Sequence, residues 1–222
     1  MFERALWLVE RRRRSEERYD TEFAPTYDEN WGGTIEPSHL RMIGEFLALC
    51  PPVPMILDAA CGTGKYWEIL RQYGAVISGI DQSGEMLARA KSKFADVQTA
   101  RLGLQEIHYL PAHSFDAVIC MDAMENVSPE DWPLVLANFH RVLRPGGHIY
   151  FTVELETPEA IREAHERGRA VGLPLVEGEI PFESGYHYYP AEDQVRAWIG
   201  GAEFEILHHE TGDEYDHYVC KT

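Results

Sequence analysis

Short apolar runs alternate with longer helical patterns between residues 55 and 154. The apolar runs predict five strands, at 55–58, 76–81, 97–102, 115–121 and 148–154. Helical patterns at 66–73, 84–94 and 129–143 separate most of these strands. Because strands that alternate with helices usually pair in parallel, the pattern predicts an α/β fold with helices on both faces of one sheet.

The segments on either side of this region break the alternation. The first 54 residues predict a helix at 2–18, an aromatic-rich loop at 19–36 and a helix at 37–49. The first helix is expected to place Leu6 and Val9 on one side. After residue 154, helices at 157–171 and 191–199 flank an insertion at 172–189 that is rich in Gly, Pro and Tyr. Two last strands, at 204–209 and 215–221, predict an antiparallel hairpin.

Length and composition narrow the class of protein. A chain of 222 residues is long enough for one domain with a substantial core. No apolar run approaches the roughly 18 residues that span a bilayer, and the N-terminus lacks a secretory signal pattern. The four cysteines show no metal-ligand spacing. We therefore expect a cytoplasmic protein that is a monomer or a homodimer, with no membrane partner.

Charge argues against a nucleic-acid partner. The formal net charge is −17, whereas proteins that bind nucleic acid neutralise phosphates with Lys and Arg. The only basic cluster is the run from Arg11 to Arg14. We interpret it as a solvated helix face paired with neighbouring glutamates, and a phosphate-binding patch is the alternative.

One stretch suggests a ligand site. The strand at 55–58 runs into a turn, Asp58-Ala-Ala-Cys-Gly-Thr-Gly64, and a helix follows. Small residues let a ligand approach the backbone, and the exposed N–H groups at the helix start favour an anionic group. Asp81 ends the next strand, where an acid can accept both hydroxyls of a ribose.

Two ligand classes fit this layout. A dinucleotide would require a third glycine, but Trp67 stands in that position, and the fixed charge of Asp58 would repel a pyrophosphate. S-adenosylmethionine carries an ammonium group and a carboxylate, which suit an acid beside helix N–H groups. The turn therefore favours S-adenosylmethionine.

Four blocks then resemble the class I S-adenosylmethionine-dependent methyltransferases. The first is 58–64, and the others are Gly79-Ile80-Asp81, 114–118 and 143–147. The resemblance is good over 37–154 and looser elsewhere. It implies a Rossmann-like, doubly wound sheet of seven strands, mostly parallel with an antiparallel last strand. It also implies S-adenosyl-L-methionine as cofactor, S-adenosyl-L-homocysteine as product and a small-molecule acceptor.

The resemblance divides the chain into four parts. Residues 1–36 would form an N-terminal helix and a lid-like segment, and 37–154 the cofactor-binding core. Residues 155–189 would cover the acceptor, and 190–222 would supply the last helix and hairpin. The family often has an acid near the position of Leu104 that binds adenine, and here only Gln105 or backbone groups are available. The expected cofactor-binding residues are Tyr27, Asp58, Ala60, Gly62, Gly64, Asp81, Gln82, Met86, Leu104, Gln105, Met121 and Asp122.

Three residues are candidate acid–base groups for the acceptor. His187 lies among tyrosines in the insertion, Glu125 follows the fourth strand, and His217 lies on the last strand. Each has a structural alternative: a packed aromatic loop for His187, a helix cap for Glu125 and sheet packing for His217. Methyl transfer from a sulfonium needs no metal, and the sequence shows no ligand cluster, so we expect none.

Two other functions remain open from the sequence. A methyltransferase fold can bind a cofactor or metabolite without turnover, as a binding protein or partner subunit. A NAD-dependent oxidoreductase is the other alternative, which the missing third glycine disfavours. If the chain is a methyltransferase, the protein mainly holds the acceptor in line with the methyl group.

Overall fold

The computed structural model describes residues 2–182 and 185–222, so residues 183 and 184 of the predicted insertion lie outside the described residues. Eight helices and nine strands make up the described chain. The helices are α1 (Phe2–Arg18), α2 (Tyr27–Asn30), α3 (Pro37–Ala48), α4 (Trp67–Gln72), α5 (Gly84–Lys93), α6 (Trp132–Val142), α7 (Pro158–Ala170) and α8 (Glu192–Gly201). The strands are β1 (Met55–Ala59), β2 (Val76–Asp81), β3 (Gln98–Arg101), β4 (Phe115–Cys120), β5 (Leu143–Glu154), β6 (Glu179–Pro181), β7 (Tyr186–Tyr188), β8 (Glu205–Gly212) and β9 (Tyr215–Lys221).

Seven strands form one sheet in the order β3-β2-β1-β4-β5-β9-β8. The pairs β3–β2, β2–β1, β1–β4 and β4–β5 are parallel. Only β9 runs against its neighbours, β5 and β8. This confirms the predicted Rossmann-like sheet, mostly parallel with an antiparallel last strand. The strands β6 and β7 form a separate hairpin within the predicted insertion.

Each face of the sheet carries its own apolar core, as a doubly wound fold requires. On one face α3, α4 and α5 pack against the strands, with Phe46 and Trp67 fully buried. On the other face α6 and α8 pack, with Trp132 and Phe139 fully buried. The central strand β4 is buried on both sides, because helices cover both of its faces.

The N-terminal prediction was wrong in two details. Residues 19–30, predicted as a loop, form consecutive helical turns. Tyr19, Phe23, Tyr27 and Trp31 recur every four residues, so their rings meet along one side with centroids 5.2 to 5.6 Å apart. In α1 the predicted apolar side is also wrong: Leu6 and Val9 are exposed. Trp7 and Leu8 pack against the core instead.

The strand β5 begins earlier than predicted, at Leu143 instead of His148. Its pairing with β4 shifts register between Phe115 and Ala117, so Pro145-Gly146-Gly147 is accommodated as an irregularity inside the strand. Gly147 permits this because a Cβ there would lie 2.8 Å from the Arg144 carbonyl oxygen. Among the described helices, none is long and apolar enough to cross a membrane.

A Gly79→Ala variant should be less stable than the parent by about 1–3 kcal/mol, the usual cost of overpacking a core. A Cβ at Gly79 would lie 2.5 Å from the Trp67 ring and 2.9 Å from the Cys61 sulfur. Urea unfolding followed by circular dichroism measures the difference. Gly200→Ala is the control, because a Cβ there meets nothing within 4 Å. Equal stability of the two variants would contradict this account of Trp67 packing.

Candidate functional site

The turn after β1 is fastened to the end of β2. Ala60, Gly62 and Gly64 all have positive φ, which lets the chain reverse within a few residues. The backbone N–H of Gly62 donates to Asp81 Oδ2 at 2.8 Å, and the N–H of Ser83 donates to Oδ1 at 2.8 Å. The Asp81 carboxylate therefore lies beside the turn, where the sequence placed it. Burial raises its pKa to about 6.

A second carboxylate lies beneath the turn. Asp58 is almost fully buried, and Trp67 Nε1 donates to its Oδ2 at 2.7 Å. Burial raises the pKa of Asp58 to about 7, although the hydrogen bond from Trp67 opposes the shift. Gly64 makes room for the same indole, because a Cβ there would lie 2.8 Å from the Trp67 ring. The Trp67 that interrupts the dinucleotide pattern thus supports the turn.

A cavity, here called the turn cavity, lies at the carboxyl ends of the parallel strands. Eleven of the twelve predicted cofactor residues line it: Tyr27, Asp58, Ala60, Gly62, Asp81, Gln82, Met86, Leu104, Gln105, Met121 and Asp122. Gly64 does not line the cavity, and its lack of a side chain instead leaves room for the Trp67 ring. Parallel α/β sheets place ligands at this edge, because the loops that follow the strands diverge there.

The wall of the turn cavity contains an acid that sequence reasoning missed. Asp131 lines the cavity together with Leu104 and Gln105. Its Oδ2 accepts hydrogen bonds from Arg12 at 2.9 Å, Ser128 at 3.0 Å and Gln105 at 3.3 Å. An acid is therefore present near Leu104, but it comes from a segment just before α6. The interpretation of the basic run as a solvated face paired with glutamates holds for Arg13 and Arg14, which pair with Glu10 and Glu17. It is wrong for Arg11 and Arg12, which line this cavity.

A second cavity of about 660 Å³, here called the aromatic cavity, adjoins the first. Tyr19, Tyr27, Lys65 and Asp122 line both. Its size is that of a small-molecule site. Its walls come from the N-terminal segment, the insertion and the last hairpin, and they carry the rings of Tyr19, Phe23, Tyr27, Trp31, Phe182 and Tyr215.

Asp122 lies where the two cavities meet. Its backbone adopts a positive φ of 51°, an unusual conformation for a residue other than glycine. His39 Nε2 lies 2.9 Å from Oδ1, and Tyr66 donates its hydroxyl to Oδ2 at 2.8 Å. Burial alone would raise the pKa of Asp122, but the hydrogen bonds from His39 and Tyr66 hold it below its ordinary value. Asp122 is therefore a fixed negative charge, and His39 is a supporting residue that no sequence motif indicated.

Two of the three predicted acid–base candidates line the aromatic cavity. His187 Nδ1 lies 3.0 Å from the Tyr189 hydroxyl and 3.1 Å from Glu154 Oε2. Glu125 is 5% exposed, and burial, followed by the charge of Glu154, raises its pKa well above the ordinary value. Its Oε1 accepts from Asn126 at 3.0 Å, whereas Oε2 has no hydrogen-bond partner among the described residues.

His217, the third candidate, is not positioned to contact an acceptor. It is fully buried, and it lines neither cavity. Its Nε2 lies 3.0 Å from Ser38 Oγ and 3.1 Å from the Gly212 carbonyl oxygen, and its Nδ1 lies 2.9 Å from the Tyr150 hydroxyl. The expectation of a base at His217 is corrected for this reason: its ring packs against Ser38 and His39 of α3 and does not reach either cavity.

Comparison with known proteins agrees with this geometry. A family model described as a methyltransferase domain matches residues 57–151. The ubiquinone biosynthesis O-methyltransferase of Hahella chejuensis is 28% identical over 194 residues, which are 84% of this chain and 74% of the relative. The malonyl-[acyl-carrier protein] O-methyltransferase of Hamiltonella defensa is 41% identical over 97 residues, 44% of this chain and 36% of the relative.

Solved structures show the same fold. The 1,6-didemethyltoxoflavin-N1-methyltransferase of Burkholderia thailandensis, solved with S-adenosylhomocysteine, superposes with a TM-score of 0.70 at 14% identity, covering 99% of this chain and 90% of that one. The family model and the named relatives describe enzymes, which sets aside a purely binding role and the oxidoreductase alternative. Residues 57–151 therefore form a methyltransferase domain, and the chain has the class I fold of enzymes whose cofactor is S-adenosylmethionine.

Proposed function

We propose that this methyltransferase acts on a hydroxyl oxygen of a small aromatic molecule held in the aromatic cavity. The observation that carries the proposal is that this cavity adjoins the turn cavity at Asp122. An acceptor in one cavity can therefore reach the methyl group of a cofactor in the other. The relatives named above methylate oxygen according to their names, and the aromatic walls suit a flat ring.

The turn cavity matches the chemistry of S-adenosylmethionine. We assign Asp81 to the ribose hydroxyls, because its carboxylate lies at the end of β2 beside the turn. We assign Asp131 and Gln105 to the exocyclic amine of adenine, because both line the cavity and Gln105, which follows Leu104, donates a hydrogen bond to Asp131. Asp58 and Asp122 would lie near the methionyl end. The negative charge of Asp122 there favours a ligand that carries an ammonium and a sulfonium.

When bound, the cofactor supplies an activated methyl group: the C–O bond forms as the S–C bond breaks, and the electron pair stays on sulfur. The residues of the chain hold the acceptor oxygen on the axis of that bond. Asp122 is held rigidly by His39 and Tyr66, so its charge can stabilise the positive end of the cofactor without reorganising.

The hydroxyl proton of the acceptor must also leave. His187 is suited to promote this step, because it lines the aromatic cavity and Glu154 lies 3.1 Å from its Nδ1. A carboxylate in that position orients the ring. Glu125 lies in the same wall of the cavity. We therefore assign proton removal to this group of side chains.

The N-terminal segment closes both cavities. Asp28 Oδ1 accepts from Thr63 Oγ1 at 2.6 Å and from Lys93 Nζ at 2.8 Å, which ties the segment to the turn and to α5. Tyr27 lines both cavities. A segment in this position would exclude water from the reacting atoms and would have to open for ligand exchange. A reduced, cytosolic setting remains part of the proposal.

The direct test is calorimetric titration with S-adenosylmethionine, followed by incubation with a panel of phenols and analysis of products by mass spectrometry. Micromolar cofactor binding and a mass gain of one methyl group on oxygen support the proposal. Cofactor binding with methylation only of amines would contradict the choice of oxygen. Absence of cofactor binding would contradict the assignment of the turn cavity.

Asp81→Asn should weaken S-adenosylmethionine binding by about 1.5–3 kcal/mol, the scale of hydrogen bonds to a charged group. The amide can accept through only one atom, so it cannot replace both carboxylate oxygens. Calorimetry measures the change at pH 7.5. Asp96→Asn is the matched control, because Asp96 is exposed and pairs only with Arg71 among the described residues. Equal affinity of the two variants would remove Asp81 from the ribose site.

The advantage of the parent protein over Asp81→Asn should shrink as the pH falls from 7.5 to 5. The pKa of Asp81 is raised to about 6 by burial, so the carboxylate that binds the hydroxyls is ionised above that pH and protonated below it. Below pH 6 the ratio of the parent's affinity to that of Asp81→Asn should fall about tenfold per pH unit. A constant affinity ratio across this range would show that ionisation of Asp81 does not contribute to binding.

His187→Ala should lower turnover by about 100-fold, the scale of a lost acid–base group. Its affinity for S-adenosylmethionine should stay within about twofold, because His187 lines only the aromatic cavity. The comparison uses an acceptor found in the phenol panel. His208→Ala is the control, since His208 is exposed on β8. Full turnover of His187→Ala would leave the ring as packing against Phe182.

A further inference from the structure

We propose that Glu125, Glu154 and His187 form a site for one divalent transition-metal ion in the wall of the aromatic cavity. The three residues come from separate segments: the turn after β4, the end of β5 and the hairpin strand β7. One ligand atom from each lies within 4.8 Å of the other two. The binding of the ion is independent of the proposed methyl transfer, whereas its role toward the acceptor rests on that function.

The spacing suits a shared ion. Carboxylate oxygens and imidazole nitrogens bind a metal such as zinc at about 2.0–2.2 Å, so two ligands of one ion can lie up to about 4.4 Å apart. The cluster therefore needs only small side-chain movements to close on an ion. Glu154 and His187 are partly exposed, so they have the freedom to make that movement.

A buried oxygen that lacks a partner is the second observation. Glu125 is only 5% exposed, and its Oε2 has no hydrogen-bond donor among the described residues. The side chain lines the aromatic cavity, and the carboxylate of Glu154 adds like charge nearby. A buried carboxylate beside another acid is unfavourable unless it takes up a proton or a cation joins the two. A cation between the two carboxylates would satisfy both.

Surrounding side chains orient these ligands. The Tyr189 hydroxyl donates to Glu154 Oε2 at 3.1 Å and lies 3.0 Å from His187 Nδ1. Asn126 Nδ2 donates to Glu125 Oε1 at 3.0 Å, which leaves Oε2 available. Metal ligands are commonly held by such outer hydrogen bonds, which set their orientation before the ion binds.

The ligand types favour a transition metal over Mg²⁺ or Ca²⁺. Magnesium and calcium prefer oxygen ligands alone, whereas an imidazole with carboxylates suits Mn²⁺, Fe²⁺ or Zn²⁺. Three protein ligands leave coordination positions open, as in catalytic metal sites. An acceptor hydroxyl bound there would lose its proton to water more easily, because the ion lowers its pKa. His187 would then be a ligand of the ion, and not the base itself.

The test starts from protein that has been treated with a chelator and desalted. Mn²⁺ is titrated into this protein, and binding is measured by electron paramagnetic resonance. Neither cofactor nor acceptor is present. We expect one Mn²⁺ per chain, displaced by Zn²⁺, and at least a tenfold weaker affinity in Glu154→Gln and in His187→Gln. Circular dichroism checks that each variant is folded. Glu156→Gln is the matched control: it removes the same charge two residues from Glu154, at an exposed position.

Absence of stoichiometric binding, or equal binding by Glu154→Gln and Glu156→Gln, would overturn the metal site. The two proposals can fail separately. Stoichiometric Mn²⁺ binding without methylation of any phenol would support the site and contradict the proposed function. Methylation that survives chelator treatment, in protein that does not bind Mn²⁺, would support the function and overturn the site.

Discussion

The hydrogen bond from the Trp67 indole to the buried Asp58 carboxylate is the contact on which the cofactor site depends. A desolvated acid at the end of β1 is costly unless a donor reaches it. The indole meets that need, but it requires space beneath the turn and beside β2. Gly64 and Gly79 provide that space, since a Cβ at either position would lie within 3 Å of the ring. The glycine turn is therefore shaped by packing below it as well as by the ligand above.

Acids at the carboxyl edge of the sheet share a physical arrangement. Asp58, Asp81 and Asp122 are each largely removed from water, and each accepts hydrogen bonds from fixed donors. In such surroundings a carboxylate interacts more strongly with a cation than it would in water.

The aromatic cavity is built from parts outside the parallel core. Helical turns at 19–30 bring one wall, the hairpin of β6 and β7 brings another, and the turn between β8 and β9 completes it. The helical turns and the β6–β7 hairpin lie outside the seven-stranded sheet, and only the turn between β8 and β9 belongs to it. The turn cavity is thus tied to the sheet, whereas the aromatic cavity depends largely on the added segments.

The sequence by itself determined the parallel sheet, its antiparallel last strand and eleven residues of the turn cavity. The parallel strands and the turn residues follow from local patterns, namely apolar runs, a glycine turn and acids at strand ends. The antiparallel last strand and cavity residues such as Tyr27, Met86 and Leu104 are implied by the resemblance to class I methyltransferases. Tertiary structure alone decided that Asp131 lies near Leu104, that His39 holds Asp122, and that His217 is buried behind the cavity. It also brought Glu125, Glu154 and His187 together. Those contacts join residues far apart in the chain, and their geometry follows from how separate segments pack, which no local pattern records.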